Sequence, residues 1–140
     1  MICIASFISC RQQGLYFYPA MLKILIADDH ELLRQHLKQI LLEEFPLCLI
    51  EEVQDGRELL EKALTDRWDL IISDISMPVM NGLEALRQIR VHFPALPVLL
   101  LSIYCDEQYA YTALKAGASG YLCKERAQDE LISTIQQIIV

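Results

Sequence analysis

Residues that could bind a metal ion or a phosphate group follow four short apolar segments of the chain. In chain order they are Asp28 and Asp29, Asp74, Ser102, and Lys124. Three carboxylates in one crevice need a counter-charge, and hard oxygen ligands with room for water suit Mg²⁺, which prefers a few carboxylates together with phosphate. These residues could therefore form a Mg²⁺ and phosphate site if the fold brings them together.

The elements that must position these residues are predicted from the alternation of apolar and amphipathic segments. Apolar segments predict strands over residues 22–27, 48–50, 70–73, 98–101 and 120–123, and helical patterns occupy residues 30–45, 56–66, 82–92, 107–115 and 128–140. Near-continuous Val, Ile and Leu strands that alternate with helices indicate parallel βαβ units covered on both faces. The predicted fold class is α/β, a doubly wound (βα)5 sandwich with a parallel five-stranded sheet in the order 2-1-3-4-5. Asn81 and Asp106 are expected to cap the third and fourth helices, and Gly117 to end the fourth.

Ligands of such a sheet bind outside the carboxyl ends of its strands, near the point where the strand order reverses. Strands one and three are neighbours there, so the three aspartates converge while Ser102 and Lys124 flank them. Strand two offers only Glu51 and Glu52. Taken singly, Asp29 could cap the first helix, Asp74 could be a polar loop residue, and Lys124 could be a solvated lysine. Their occurrence at four strand ends favours a site.

Length and composition limit the classes of protein that this chain can be. With 140 residues, 54% of them hydrophobic, and a mean hydropathy of +0.28, one compact domain is expected and a disordered chain is excluded. No apolar run reaches the roughly 20 residues of a membrane span. A formal net charge of −7 and a pI near 4.9 would repel a phosphate backbone, so this chain alone is not expected to bind nucleic acid.

The cysteines and the amino terminus carry further predictions. The five cysteines are an odd number, scattered, without a C-x-x-C pair, which indicates reduced thiols in the cytoplasm and disfavours zinc; they are Cys3, Cys10, Cys48, Cys105 and Cys123. Residues 1–20 are apolar but lack the basic start of a signal peptide. They are read as an extension of unclear role, an artefact or a packing tail, which leaves residues 21–140 as the domain.

Three segments closely resemble the receiver domain of two-component response regulators, the CheY-like domain with a flavodoxin-like sandwich. They are LIADDH at residues 25–30, SDISMPVMNGLE at 73–84 and LKAGASGYLCK at 114–124. The resemblance covers residues 22–140 in order and spacing. Residues 101–104 and 120–124 look most like the NarL/FixJ-type subfamily, whose full-length members add a LuxR-type helix-turn-helix output domain. That domain is absent from this sequence. DNA binding is therefore expected only through such an output domain and not through this chain itself.

The resemblance implies a role for each site residue. Asp74 matches the phospho-acceptor, which attacks the phosphorus of a phosphohistidine on a partner, a sensor histidine kinase. Asp29 and Asp74 would bind Mg²⁺ directly together with the backbone carbonyl of Ser76, and Asp28 would help through water. Such a domain catalyses only its own phosphorylation and dephosphorylation, and controls transcription through the output domain.

Lys124 would pair with the phosphoryl oxygens, and Ser102 would donate a hydrogen bond to them. Tyr121 would then change rotamer as Ser102 moves. A homodimer is a further expectation, through the fourth and fifth strand-helix units or through the first helix. The apolar end of the last helix, residues 138–140, is expected either to take part in it or simply to cover the sheet.

Two positions depart from the family pattern. Glu125 follows Lys124 where many receivers have a proline after a cis bond, and because a cis bond before any other residue costs about 2.5–4 kcal/mol, a trans bond is expected unless the site enforces a strained cis one. Ile103 stands where a small residue is common, and its bulk is expected to narrow access for water or phosphatases.

Two other classes of protein remain as alternatives. A Mg²⁺-dependent phosphohydrolase of α/β fold also uses an aspartate nucleophile, but those that resemble haloacid dehalogenases carry a second aspartate two residues later, where this chain has Ser76. An interaction domain that keeps the pocket without being phosphorylated is the second alternative, and the intact acceptor set argues against it.

Overall fold

The computed structural model describes residues 22–139, in which five strands alternate with five helices. The elements are β1 Lys23–Ala27, α1 Glu31–Glu44, β2 Leu49–Val53, α2 Gly56–Thr65, β3 Leu70–Asp74, α3 Gly82–His92, β4 Val98–Ser102, α4 Glu107–Lys115, β5 Gly120–Cys123 and α5 Ala127–Ile138, with a 3₁₀ turn Lys124–Arg126 before α5. The predicted extension, residues 1–20, lies outside the described residues. Within them, no helix is long and apolar enough to cross a membrane.

The five strands form one parallel sheet in the order β2-β1-β3-β4-β5, which confirms the predicted fold class. Ala27 pairs with Ser73, and Asp74 pairs with Leu101. The register therefore brings the carboxyl ends of β1, β3 and β4 to one edge of the molecule.

Helices cover both faces of the sheet, as continuous apolar strands require. On one face, Leu37 and Leu41 of α1 pack with Leu131 and Ile135 of α5. On the other face, α2, α3 and α4 cover a second core around Ile71. All residues of β3 and β4 are buried. The two strands that carry Asp74 and Ser102 therefore lie in the interior of the fold.

The predicted ends of α3 and α4 are confirmed. The side chain of Asn81 accepts a hydrogen bond from the Glu84 amide at 2.9 Å, and Asp106 accepts one from the Tyr109 amide at 3.0 Å. Gly117 adopts a φ of +109° just after α4, a conformation that glycine adopts without a steric penalty.

The prediction for β2 was wrong at its carboxyl end. The strand includes Glu51 and Glu52, which were expected to follow it. β2 is an edge strand that pairs with β1 alone, so its side chains are partly exposed and can be charged. Glu51 pairs with Lys62, and Glu52 pairs with Arg34 of α1, which explains carboxylates inside a strand.

The end of α5 covers the sheet rather than projecting into water. Ile139 is buried in the same core as Leu131 and Ile135, and Ile138 packs against it. Of the two expectations for residues 138–140, the structure supports the covering role for the two isoleucines, and Val140 lies outside the described residues.

The expectation that all cysteines are reduced is contradicted for one pair. The sulfur atoms of Cys105 and Cys123 are joined in a disulfide, with the two Cα atoms 5.2 Å apart. Sequence spacing gave no sign of this, because the pairing depends on the loop after β4 returning to the end of β5. Cys48 is a buried free thiol, and Cys3 and Cys10 lie outside the described residues.

Candidate phosphoryl and metal site

Two buried aspartates stand at the centre of the site. Asp28 directly follows β1 and Asp74 is the last residue of β3, and both are almost fully buried. Asp28 Oδ1 accepts a hydrogen bond from the His30 amide at 2.8 Å. Gly82 lets α3 begin against the end of β3, because a Cβ at this position would clash with the carbonyl oxygen of Asp74. The predicted convergence of β1 and β3 ends is therefore present.

Lys124 joins the two buried carboxylates. Its Nζ lies 3.1 Å from Asp28 Oδ2 and 3.0 Å from Asp74 Oδ2. The ammonium of Lys124 is the ion-pair partner of Asp28 Oδ2, which has no hydrogen bond of favourable geometry. A buried carboxylate oxygen that is held by an ion pair alone retains capacity for a further cation.

Asp29 does not cap α1, so the capping explanation for it was wrong. The N-cap residue is His30, whose side chain makes no capping hydrogen bond. Asp29 instead faces the His30 ring, whose Nδ1 lies 3.2 Å from Asp29 Oδ1 and 3.1 Å from Asp28 Oδ1. The Asp29 side chain is 36% exposed, so a ligand from solvent can reach its carboxylate.

These residues fit a divalent cation. Asp28, Asp29, His30 and Asp74 each offer one ligand atom, and those atoms lie within 4.8 Å of one another. The oxygen-rich donor set and Asp28 Oδ2, which is held by an ion pair but by no hydrogen bond, match the preference of Mg²⁺ for carboxylate oxygens and water. The Ser76 amide donates a hydrogen bond to Asp74 Oδ1 at 3.3 Å, which places the Ser76 backbone beside the Asp74 carboxylate.

The electrostatics of the site reflect two buried carboxylates, Asp28 and Asp74, that share the ammonium of Lys124. Burial raises the pKa of Asp74, and the negative charge of Asp28 adds to this rise, against the opposing effect of Lys124. Burial would lower the pKa of Lys124, but hydrogen bonds and charges of Asp74 and Asp28 outweigh it, so the pKa of Lys124 is raised. The ionised form of Asp74 is therefore disfavoured, while the ammonium form of Lys124 is favoured.

Ser102 and Tyr121 are connected through a third residue, Tyr104. Ser102 is buried at the end of β4, and its Oγ accepts a hydrogen bond from the Tyr104 amide at 3.0 Å. The hydroxyl of Tyr121 donates to the carbonyl oxygen of the same residue. Tyr104 stacks on Tyr109 of α4 at 4.6 Å between ring centroids. A contiguous path thus runs from Ser102 to β5 and α4.

Sequence reasoning missed Tyr104, His30 and Arg34. Arg34 is buried in α1, where its Nη1 donates to the carbonyl oxygen of Asp28 at 2.6 Å and its Nε donates to Glu52 Oε1 at 3.0 Å. A signal was present, since Arg34 precedes Leu37 and Leu41 at the spacing of the buried stripe. A charged residue on a buried stripe indicates a specific partner.

Of the two departures from the family pattern, at Glu125 and Ile103, the structure tests only the first. The peptide bond between Lys124 and Glu125 is trans, as expected for a residue other than proline. Ile103 is 67% exposed, so it lies at the surface, and its effect on access remains a prediction.

The doubly wound α/β fold and the cluster of carboxylates and a lysine at its strand ends agree with the receiver domain that the sequence resembles. Residues 24–136 match the family described as the response regulator receiver domain. The transcriptional regulatory protein DegU of Brevibacillus brevis is 40% identical over 117 residues, which cover 84% of this chain and 50% of that protein.

Solved structures agree with this match. A two-component response regulator of the LuxR family from Aurantimonas sp. SI85-9A1 superposes with a TM-score of 0.76 at 30% identity, covering 84% of each chain. The chemotaxis response regulator CheY4 of Vibrio cholerae gives 0.77 at 33% identity, covering 84% of this chain and 98% of that one. The chain belongs to the response regulator receiver family and is of the NarL/LuxR type. It spans about half the length of the curated relatives it matches.

Proposed function

We propose that this chain is a phosphorylation-activated switch in which Asp74 accepts a phosphoryl group from a phosphohistidine of a sensor histidine kinase. An oxygen of Asp74 attacks the phosphorus, the bond from phosphorus to the histidine nitrogen breaks, and a mixed acyl phosphate forms. The observation that carries the proposal is the position of Asp74, buried at the end of β3 with the Lys124 ammonium at 3.0 Å.

The other site residues position the groups and compensate charge. Lys124 pairs with the phosphoryl oxygens, which leaves positioning and electrostatics as the main work of the protein. Asp29, Asp74 and the Ser76 carbonyl would hold Mg²⁺ directly, with Asp28 helping through water, and the bound ion would supply the remaining positive charge. The domain catalyses only its own phosphorylation and dephosphorylation and acts on no separate substrate.

The response to phosphorylation passes through Ser102 and Tyr121. When the Ser102 hydroxyl turns to the phosphoryl group, its bond from the Tyr104 amide is lost, and the bond from Tyr121 to Tyr104 is free to break. A cavity of about 360 Å³ beside Ser102 and Tyr104 offers room for the loop to rearrange. The exposed surface of α4, with Tyr111 and Leu114, then changes shape.

Two copies of the chain would then associate through this changed surface to form a homodimer. In a regulator that carries a DNA-binding output domain, the same surface would also signal to that domain, which controls transcription. We place this switch in the cytoplasm, with residues 21–140 as the receiver domain and residues 1–20 as an extension that phosphorylation does not require.

Intact mass after incubation with acetyl phosphate and Mg²⁺ tests the proposal. One phosphoryl group per chain is expected for the wild type and none for Asp74→Asn. Asp69→Asn is the matched control, since Asp69 lies at the opposite end of β3 and accepts a hydrogen bond from the Lys23 amide. Absence of labelling in the wild type would instead support an interaction domain that works without phosphorylation.

A further inference from the structure

The Cys105 and Cys123 pair stands between the two residues that handle the phosphoryl group. Cys105 lies three positions after Ser102, and Cys123 immediately precedes Lys124. Ser102 and Cys123 are register partners at the ends of β4 and β5. The disulfide therefore fastens the loop after β4 to the strand end that presents Lys124.

The surroundings of Cys105 suit the thiol as well as the disulfide. Cys105 is exposed, and its Sγ lies 3.4 Å from Glu125 Oε1 and 3.5 Å from the carbonyl oxygen of Ile103. Both oxygens would accept a hydrogen bond from a reduced thiol. Cys123 is buried beneath it. Since Cys105 is exposed and Cys123 is buried, an external disulfide can reach Cys105 first, and Cys123 can then close on it.

We propose that Cys105 and Cys123 form a reversible oxidation site that takes a low-molecular-weight disulfide such as oxidised glutathione. The Cys105 thiolate attacks one sulfur of the small disulfide and releases one thiolate. The Cys123 thiolate then attacks the Cys105 sulfur and releases the second. Two protein thiols are oxidised, one small disulfide is reduced to two thiols, and the two protons pass to those thiols.

The closed disulfide fixes the loop in the arrangement seen here. In that arrangement the Tyr104 amide bonds to Ser102 Oγ, and Tyr121 bonds to the Tyr104 carbonyl. Oxidation thus opposes the displacement of Ser102 and Tyr104 away from each other. On the proposed function, which this consequence requires, the oxidised chain accepts a phosphoryl group more slowly than the reduced chain.

The site is tested by counting thiols and by hydrogen exchange, neither of which depends on phosphorylation. The full chain carrying Cys3→Ser and Cys10→Ser is equilibrated in buffers of reduced and oxidised glutathione and alkylated, and its mass is then measured. We expect Cys105 and Cys123 to become protected together in oxidised glutathione, with the loss of two hydrogen atoms per chain. Both thiols should reappear when reductant is added. Cys48 is the matched control, because it is buried and burial raises the pKa of its thiol, so its state should not change.

Hydrogen exchange then measures the loop itself. Amides of residues 103–106 should exchange more slowly in the oxidised chain, by on the order of tenfold. Cys105→Ser and Cys123→Ser should each abolish the difference. Thiols that stay open in oxidised glutathione, or that are protected only by added zinc, would overturn the proposal, and so would equal exchange in the two oxidation states.

Acetyl phosphate labelling of the same samples separates this proposal from the proposed function. Slower labelling of the oxidised chain, restored by reductant, supports the coupling. Equal labelling rates would refute the coupling although the site forms. If neither sample is labelled, the proposed function fails, while thiol counts and exchange still decide whether the oxidation site exists.

Discussion

The ammonium of Lys124 lies 3.0 Å from Asp74 Oδ2, and both side chains are nearly buried. The same nitrogen is 3.1 Å from Asp28 Oδ2, so one positive charge serves two buried negative charges, with Asp29 close by. The metal-free site therefore carries an excess of negative charge. Stability, metal binding and phosphorylation are linked through this excess, because a cation or a neutral substitution relieves it.

Lys124→Met should destabilise the metal-free protein, because it leaves two buried carboxylates without their counter-charge. We expect the free energy of unfolding to fall by about 3 kcal/mol in urea titrations with a chelator. Saturating Mg²⁺ should restore part of the loss. Lys115→Met at the exposed end of α4 is the control and should cost under about 1 kcal/mol. Equal losses in the two variants would contradict the role of Lys124 in the site.

Asp74→Asn should remove labelling and stabilise the metal-free chain, with a defined dependence on pH. The pKa of Asp74 is raised from its ordinary value of 3.8 in the folded state, so protonated Asp74 favours folding. That contribution is fully present below pH 3.8 and is lost as the pH rises through the folded pKa. Wild type should therefore lose stability relative to the variant on going from acid to neutral pH in urea titrations. A constant difference would contradict this cause.

Asp29→Ala should separate binding from stability. Because Asp29 caps nothing, its removal should change the free energy of unfolding by less than about 0.5 kcal/mol, while labelling and the rise in melting temperature with Mg²⁺ both weaken. Asp55→Ala is the control, since Asp55 caps α2 by accepting from the Glu58 amide. It should cost about 1 kcal/mol and be labelled normally.

The sequence alone was sufficient to predict the bounds of an element where local signals coincide with burial. The bounds of α3, α4 and β5 agree with the predicted ones, because caps and glycines mark their ends and apolar runs fill them. The convergence of Asp28, Asp74 and Lys124 also follows, since strand order alone brings strand ends together.

Features that depend on partners distant in the chain could not be predicted. The carboxylates of β2 are compatible with a strand only because Lys62 and Arg34 approach them from neighbouring helices. The bond between Cys105 and Cys123 and the central position of Tyr104 depend on the path of one loop. No periodicity encodes that path.

Glu52→Gln should weaken the protein near neutral pH and leave it unchanged in acid. Burial would raise the pKa of Glu52, but hydrogen bonds and charges of Lys38 and Arg34 outweigh it and the pKa is lowered from 4.5. The stabilisation is thus present above pH 4.5 and is lost as the pH falls through the lowered value. We expect a deficit of about 1 kcal/mol at pH 7 that disappears in acid. Glu61→Gln, at an exposed pair with Arg57, should show neither effect.

The last prediction concerns the output of the switch. Ser102→Ala removes the oxygen that bonds to the Tyr104 amide and that would bond to the phosphoryl group, so the signal from Asp74 should not reach Tyr121. Sedimentation at several concentrations, with and without Mg²⁺ and beryllofluoride as a phosphate mimic, measures self-association. Reductant is present throughout, so that the disulfide does not restrain the loop.

Wild type should associate more strongly with the mimic, and Ser102→Ala should show a smaller change. Ser133→Ala is the control, because Ser133 is exposed on α5 and bonds to the carbonyl of Glu130 in its own helix. It should behave as the wild type does. A wild type that stays monomeric in both conditions would refute the homodimer. Full mimic-driven association in Ser102→Ala would show that the signal bypasses Ser102, because association would then proceed without the hydroxyl that connects Asp74 to Tyr104 and Tyr121.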